Sequence, residues 1–204
     1  MKIGGHRYRL TNPLLNSTRF GGNLWSVISQ PGLTSVPLAA SLSCVPPIAE
    51  QLMLPSSYGS PNRLLDWAAV EQRLVDSPHY WLATVRRDGT PHVVPVDGIW
   101  LDGGCYFGGD PATVHVRNLH RDGRATLHLE DGESAVIVEG VAEWTTPSKS
   151  EARRLAAAAT AKYGYSMSAG SYLKGVWRLK PVKVLAWTRL YVDATRFHFE
   201  GSTE

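Results

Sequence analysis

The stretch YWLATVRRDGTPHVVPVDGIWLDGGCYFG, residues 80–108, decides the fold, because its apolar runs are separated by Asp-Gly pairs. YWLATVR (80–86) is followed by Asp88-Gly89, HVVPVDGIW (92–100) by Asp102-Gly103, and CYFG (105–108) closes the series. Asp-Gly between apolar runs signals a hairpin, since Gly takes φ > 0 at no steric cost. The same grammar continues outward: RATLHLE (124–130), Asp131-Gly132, then SAVIVEGVAEW (134–144), long enough to bend around a barrel corner at Gly140. These runs predict an antiparallel meander.

Helical patterns frame it. LLDWAAVEQRLV (64–75) sets Leu64, Leu65, Ala68, Val70 and Leu74 near one face before Pro78. In DPATVHVRNLHRDG (110–123), Asp110 reads as an N-cap and Pro111 as the first helical residue, which predicts a helix over Pro111–His120. SKSEARRLAAAATAKYG (148–164) follows Pro147 and ends on Gly164 as a C′ residue. VWRLKP (176–181), KVLAWTR (183–189) and TRFHF (195–199) add up to three strands. Six to eight strands with about three helices make a mainly β (α+β) chain. A meander of that size must close to remove its edges, so a small antiparallel β-barrel with flanking helices is expected.

Residues 1–60 carry Pro13, Pro31, Pro37, Pro46, Pro47 and Pro55 among Ser, Asn and Gly, with neither helical nor strand period. They are expected to be disordered, with Met53 an alternative start, and residues 61–204 to form the domain. The formal charge of +3 in 204 residues arises entirely in residues 1–52, where Lys2, Arg7, Arg9 and Arg19 face only Glu50. The remainder balances, which argues against nucleic-acid binding. Cys44 and Cys105 form no CxxC pair, so neither a disulfide framework nor a thiolate zinc site is expected. No run approaches the roughly 18 apolar residues of a membrane span. Pro37 interrupts SVPLAASLSC, so a signal peptide is not expected and the chain reads as cytoplasmic.

The histidines do not read as a metal site: His115 and His120 are five apart, His128 lies on a following strand, and no HExxH occurs. No Gly-x-Ser-x-Gly elbow supports a hydrolase. In HVVPVDG, His92, Val94 and Val96 share one strand face, and Val93, Pro95 and Asp97 share the other. Pro95 cannot donate to a ladder, so this strand should be exposed or bulged. The residues alone leave two readings. Val94 and Val96 are core with His92 at the rim, or the strand is a wall for a planar ligand.

WLATVRRDGTPHVVPV, YFGGDPATVHVRNLHRDGRATLHLEDG and AVIVEGVAEW together resemble the split β-barrel family that includes pyridoxamine 5′-phosphate oxidases and deazaflavin-dependent reductases. The similarity runs over about residues 66–199. It implies a homodimer that binds FMN or the deazaflavin coenzyme (F-420) in a cleft between subunits, and it makes His92, Val93, Val94, Pro95 and Val96 the strand along which the isoalloxazine lies. It also implies that Thr113, Val114 and His115, in a first helical turn that favours anions, face the cofactor phosphate. Family members that bind FMN keep Ser or Thr followed by Arg-Lys there. Here Val114 and His115 replace the two cations, and a His of ordinary pKa about 6.5 is mostly neutral at pH 7. The clamp is weakened, and the deazaflavin is preferred.

Arg117, about 200° around the helix from His115, faces elsewhere, and Asn118 is expected to tie down a neighbouring loop. Trp81, Trp100, Trp144, Trp177, Trp187, Tyr163, Tyr165 and Tyr172 are expected in the core and dimer interface, with Trp177 or Tyr172 as an alternative roof for the cleft. The resemblance implies a flavin- or deazaflavin-dependent oxidoreductase that passes a hydride to or from a small organic substrate. One alternative is a flavin or haem carrier without turnover. The other is a true pyridoxamine 5′-phosphate oxidase, for which Lys162, Lys174 and Arg178 are available cations that no motif places.

Overall fold

The computed structural model describes residues 46–164 and 167–199. All of them belong to the second of two compact units, Ser41–Glu204. In chain order the elements are β1 (Ile48–Gln51), α1 (Trp67–Asp76), β2 (Tyr80–Val85), β3 (Pro91–Val96), β4 (Gly98–Leu101), β5 (Gly104–Phe107), α2 (Val114–Arg121), β6 (Arg124–His128), β7 (Val136–Thr145), α3 (Lys149–Tyr163), α4 (Ala169–Tyr172), β8 (Val176–Ala186), α5 (Leu190–Asp193) and β9 (Thr195–His198). The strands form an antiparallel sheet in the order β1-β9-β8-β7-β6-β2-β3, with β5 also on β8 and β4 on β5.

The long strand β8 is the fork that splits the barrel. Its start pairs Trp177 with Phe107 and Leu179 with Cys105. Its end pairs Lys183 with His198 and Ala186 with Thr195. Along its other edge runs β7, whose register slips between Glu139 and Gly140, opposite Pro181. A Cβ on Gly140 would stand 2.1 Å from the Lys180 carbonyl oxygen, so only glycine allows the bend there.

Nine strands form where six to eight were expected, and the boundaries explain why. HVVPVDGIW is two strands, because after Val96 the chain leaves β2 and Gly98 pairs with Phe107 instead. VWRLKP and KVLAW are one strand, because Pro181 keeps its place opposite Gly140 and the bulge falls on Val182. β1 rises from the stretch expected to lack structure, a correction for residues 46–60. Ile48–Gln51 pair with β9, Ala49 packs on the core, and Leu52 N donates to Ala194 O at 3.0 Å. Residues 1–45, the rest of that expectation, and Cys44 lie outside the described residues.

The core is the inner face of the barrel. Tyr80, Leu82, Leu127, Val138, Leu179, Val184 and Phe197 are fully buried there, closed by Leu74 of α1 and Leu119 of α2. Each such large side chain contributes roughly 1.5–3 kcal/mol on burial. A second cluster, Ile99, Tyr106, Leu155, Ala159 and Val176, seats α3. That helix opens with a capping box between Ser148 and Glu151 and closes on Gly164 at φ 71°. α1 starts later than its pattern suggested. Asp66 is its N-cap, Val70 and Leu74 are buried, and Leu64 and Ala68 are exposed. Leu65 N is bonded to Thr195 Oγ1 at 2.9 Å, which holds that part of the chain extended. Among the described residues no helix is long and apolar enough to cross a membrane.

Candidate functional site

β3 is an edge strand, as Pro95 demands, with a regular register on β2 and no bulge. Its two faces differ. Val96 is buried in the core, Val94 packs against it and His92 stands half-buried at the rim. Pro91, Val93 and Pro95 form an exposed apolar row on the outer face, Val93 being 47% exposed. Arg86 Nη2 donates to His92 Nδ1 at 3.0 Å. The ring is thereby fixed as the Nε2–H tautomer, and burial, then the Arg86 charge, holds its pKa below the ordinary value.

The helix beside it begins three residues later than Pro111, a correction with a clear cause. Asp110-Pro111-Ala112-Thr113 folds as a turn: Thr113 N donates to Asp110 O at 2.9 Å, Ala112 N to Asp110 Oδ1 at 2.7 Å, and Thr113 Oγ1 to Asp110 O at 2.7 Å. Asp followed by Pro suits the first two positions of such a turn as well as a helix start. Thr113 is the N-cap residue, but its hydroxyl is spent on the turn. The first α2 bond runs from Arg117 N to Thr113 O at 3.2 Å, leaving the amides of Val114, His115 and Val116 without partners inside the helix.

His115 turns inward, 9% exposed, and its Nε2 is buried with no hydrogen-bond partner. The ring packs under Gly109, where a Cβ would lie 2.5 Å from Nε2. Burial lowers its pKa, a backbone contact with Gly108 works the other way, and His92 lowers it again, so the ring is neutral at pH 7. β3 and the start of α2 are thus brought together at His92 and His115, whereas Val93 and Pro95 face away from them. Asn118 Nδ2 donates to Thr84 Oγ1 at 3.0 Å, tying α2 to a strand rather than a loop. Arg117 bonds the Ala112 carbonyl and Arg121 the Val85 carbonyl.

Two hollows flank these elements. A groove of about 730 Å³ crosses the outer sheet face past Val85, Pro91, Arg124, Thr126, Lys183 and His198. A cavity of about 280 Å³ lies between the chain after β3, the end of β5, and α3 and α4. Its wall includes Gly108, which with Gly109, Arg86 and the cavity itself went unread in the sequence. The Gly-Gly doublet between strand and helix was the available signal of close backbone approach. Among the aromatics, Trp100 and Trp177 are core, Trp81 stacks on His128 at 6.5 Å on the outer face, and Trp144 is 51% exposed. Tyr165 lies outside the described residues. Among the described residues no group of three or more metal-ligating side chains exists.

An antiparallel sheet forked at β8, with an edge strand beside a helix start, defines a split β-barrel. The chain belongs to the pyridoxamine 5′-phosphate oxidase family, whose model matches residues 67–188. No curated protein matches it. Among solved structures it is similar to a conserved hypothetical protein from Mycobacterium tuberculosis, at 21% identity and TM-score 0.53, over 63% of this chain and 88% of that one. A haem-binding protein from Mycobacterium smegmatis is similar at 24% identity and TM-score 0.51, over 66% of this chain and 59% of that one. A candidate 5-nitroimidazole antibiotic resistance protein from Bacteroides thetaiotaomicron follows at 13% identity and TM-score 0.50, over 74% and 90%. At such identities these likenesses speak to the fold.

The family implies a flavin-type cofactor, and the residues fit it unevenly. The outer row of β3 and its unpaired edge offer a flat apolar wall with backbone groups beside it. The start of α2 offers three amides to an anion, but Val114 is apolar, His115 is neutral and buried, and the Thr113 proton is engaged. A ring is accommodated, and a phosphate is met by main chain rather than by side-chain cations.

Proposed function

We propose that the protein is an oxidoreductase that binds the deazaflavin coenzyme (F-420) or FMN along β3 and passes a hydride between it and a small organic substrate. The observation that carries this reading is that the edge strand β3 meets the anion-attracting start of α2, at His92 and His115, in one family-matched domain. The cofactor supplies the redox chemistry, and the protein supplies wall, orientation and exclusion of water. The lack of a side-chain phosphate clamp favours the deazaflavin over FMN.

The reading includes a homodimer. Val85, Val93, Val141 and Ile48 are exposed on the outer face, where a second copy would cover them and close the cofactor cleft. A haem carrier is the second reading; Arg86 holds His92 as the Nε2–H tautomer and leaves no lone pair on that ring for iron.

Absorbance titration of the purified protein with the coenzyme, FMN and haem tests the assignment, with light scattering for the dimer. Saturable binding of the deazaflavin, or of FMN more weakly, by a dimer is expected. Binding of haem alone would replace this reading with the carrier.

A further inference from the structure

The 280 Å³ cavity touches the proposed cofactor strand at two points: Asp97 and Gly98 follow β3 directly, and Phe107 and Gly108 lead into the turn before α2. Its size suits one substituted ring, since a hollow of about 150 Å³ already takes benzene. Ile99, Phe107, Ala159, Met167 and Val176 give apolar walls, Ser171 adds a hydroxyl, and the hydroxyls of Tyr106 and Tyr163 are bonded to Glu151 and Gly98.

Among the described residues the one charged lining residue is Asp97, an anion, whose carboxylate is paired with His79 Nδ1 at 3.0 Å. Among the described residues no cation lines the cavity, and the two behind its wall bond neutral oxygens. Lys162 Nζ donates to Tyr80 Oη at 3.0 Å and to Gly98 O at 2.9 Å. Arg178 donates to Asp102 O at 3.1 Å and lies 5.3 Å over the Tyr106 ring. A phosphate or carboxylate in this cavity would lose its water, face the Asp97 carboxylate on the lining, and find no cation on that lining among the described residues.

We propose that this cavity takes the substrate's reacting ring and that the ring it accepts is uncharged: a single-ring, weakly polar aromatic with no phosphate or carboxylate. The proposal rests on the oxidoreductase reading for its role and on the cavity alone for its preference. A family match to pyridoxamine 5′-phosphate oxidase therefore does not carry that phosphorylated substrate over to this chain.

The test is binding of two matched probes, p-cresol and phenyl phosphate, to the full chain by saturation-transfer NMR. Gly108→Leu is the blocking variant. Gly108 lines the cavity, has no left-handed φ, and a Cβ there would meet nothing within 4 Å, so the backbone accepts a side chain at the cavity wall. Ser171→Phe, on an exposed position of α4, is the second variant. We expect p-cresol to bind at least tenfold more tightly than phenyl phosphate, and both variants to lose p-cresol with unchanged melting temperature. Equal or better binding of phenyl phosphate, binding of neither probe, or unaltered p-cresol binding in both folded variants would overturn the proposal. A protein that bound p-cresol as expected but took up neither flavin would keep the cavity's preference and remove the oxidoreductase reading.

Discussion

Asp193, closing α5, is fully buried and meets four donors: Arg63 Nη2 at 2.8 Å, Thr188 N at 2.8 Å, Arg189 N at 3.0 Å and the Thr188 hydroxyl. His115, opening α2, is nine-tenths buried and leaves Nε2 with none. A satisfied buried charge anchors architecture, since every donor it engages fixes another piece of chain. A buried polar atom without a partner costs stability, and a fold keeps it where something outside the chain completes it. The first cluster binds the segment before α1 to the end of the barrel. The second lies where β3 meets α2; Trp177 Nε1, Arg178 Nε and Arg196 Nε are likewise buried without a partner, so it is the place of His115 beside β3, together with its orphan atom, that marks it.

The largest expected effect breaks the complete cluster. Asp193→Ala leaves the Thr188 and Arg189 amides and the Thr188 hydroxyl without their acceptor while exposed Arg63 returns to water, and it should cost about 2–4 kcal/mol in urea unfolding. A loss below about 1 kcal/mol would mean that the cluster anchors nothing. The pH dependence follows from the same geometry. Burial pulls the Asp193 pKa up, but its donors outweigh burial and hold it well below the ordinary 3.8. The folded state then binds fewer protons than the unfolded one, so this stabilisation is whole above pH 3.8 and fades as the pH falls below it. The variant should lose less stability on acidification than the wild type.

Much of the framework was legible in the sequence because its signals are local. β2, β5, β6 and β7 follow from Asp-Gly turns and apolar alternation, β3 and β4 were read as one strand, and α3 follows from its strong helix formers and Gly164. β1 was not legible. Four residues between prolines carry no period, and what holds them is distant: the ladder to β9 and the Glu50 carboxylate, which bonds Arg196 Nη1 at 3.0 Å and His198 Nε2 at 2.9 Å. The site was half legible. The family resemblance, not the residue pattern alone, singled out β3 and the start of α2, and the fold places them side by side. It could not say which way His115 points, because Asp-Pro serves a turn as well as a helix start and the helix begins three residues on.

Gly108 and Gly109 sharpen the comparison at intermediate size. They are adjacent, exposed and identical in type, yet only one is required by packing. A Cβ at 109 would come within 2.5 Å of His115 Nε2 and 2.6 Å of Val116 Cγ2, whereas one at 108 meets nothing within 4 Å. Gly109→Ala should destabilise by about 1–3 kcal/mol, and Gly108→Ala should stay within about 0.5 kcal/mol of wild type. Equal effects in calorimetry would show that His115 is not seated under Gly109.

The smallest effect concerns protons on the incomplete cluster. Burial is the main cause that lowers the pKa of both His92 and His115 from 6.5, with Arg86 adding to it at His92 and His92 at His115. Each ring binds a proton less readily folded than unfolded, so stability is whole above pH 6.5 and declines as the pH falls through the lowered values. His115→Gln keeps a polar side chain and removes one titration. Between pH 7.5 and 5.5 its melting temperature should fall less than that of the wild type, by about 2–4 °C for each 1 kcal/mol involved. NMR titration of the His115 ring gives the sharper reading. In the protein alone it should titrate below 6.5, and a bound flavin-type anion at the start of α2 should raise that value, because opposite charge favours the protonated ring. A His115 pKa that no cofactor moves would mean that the unpaired Nε2 answers to nothing outside the chain, and the contrast with Asp193 would then mark two grades of framework.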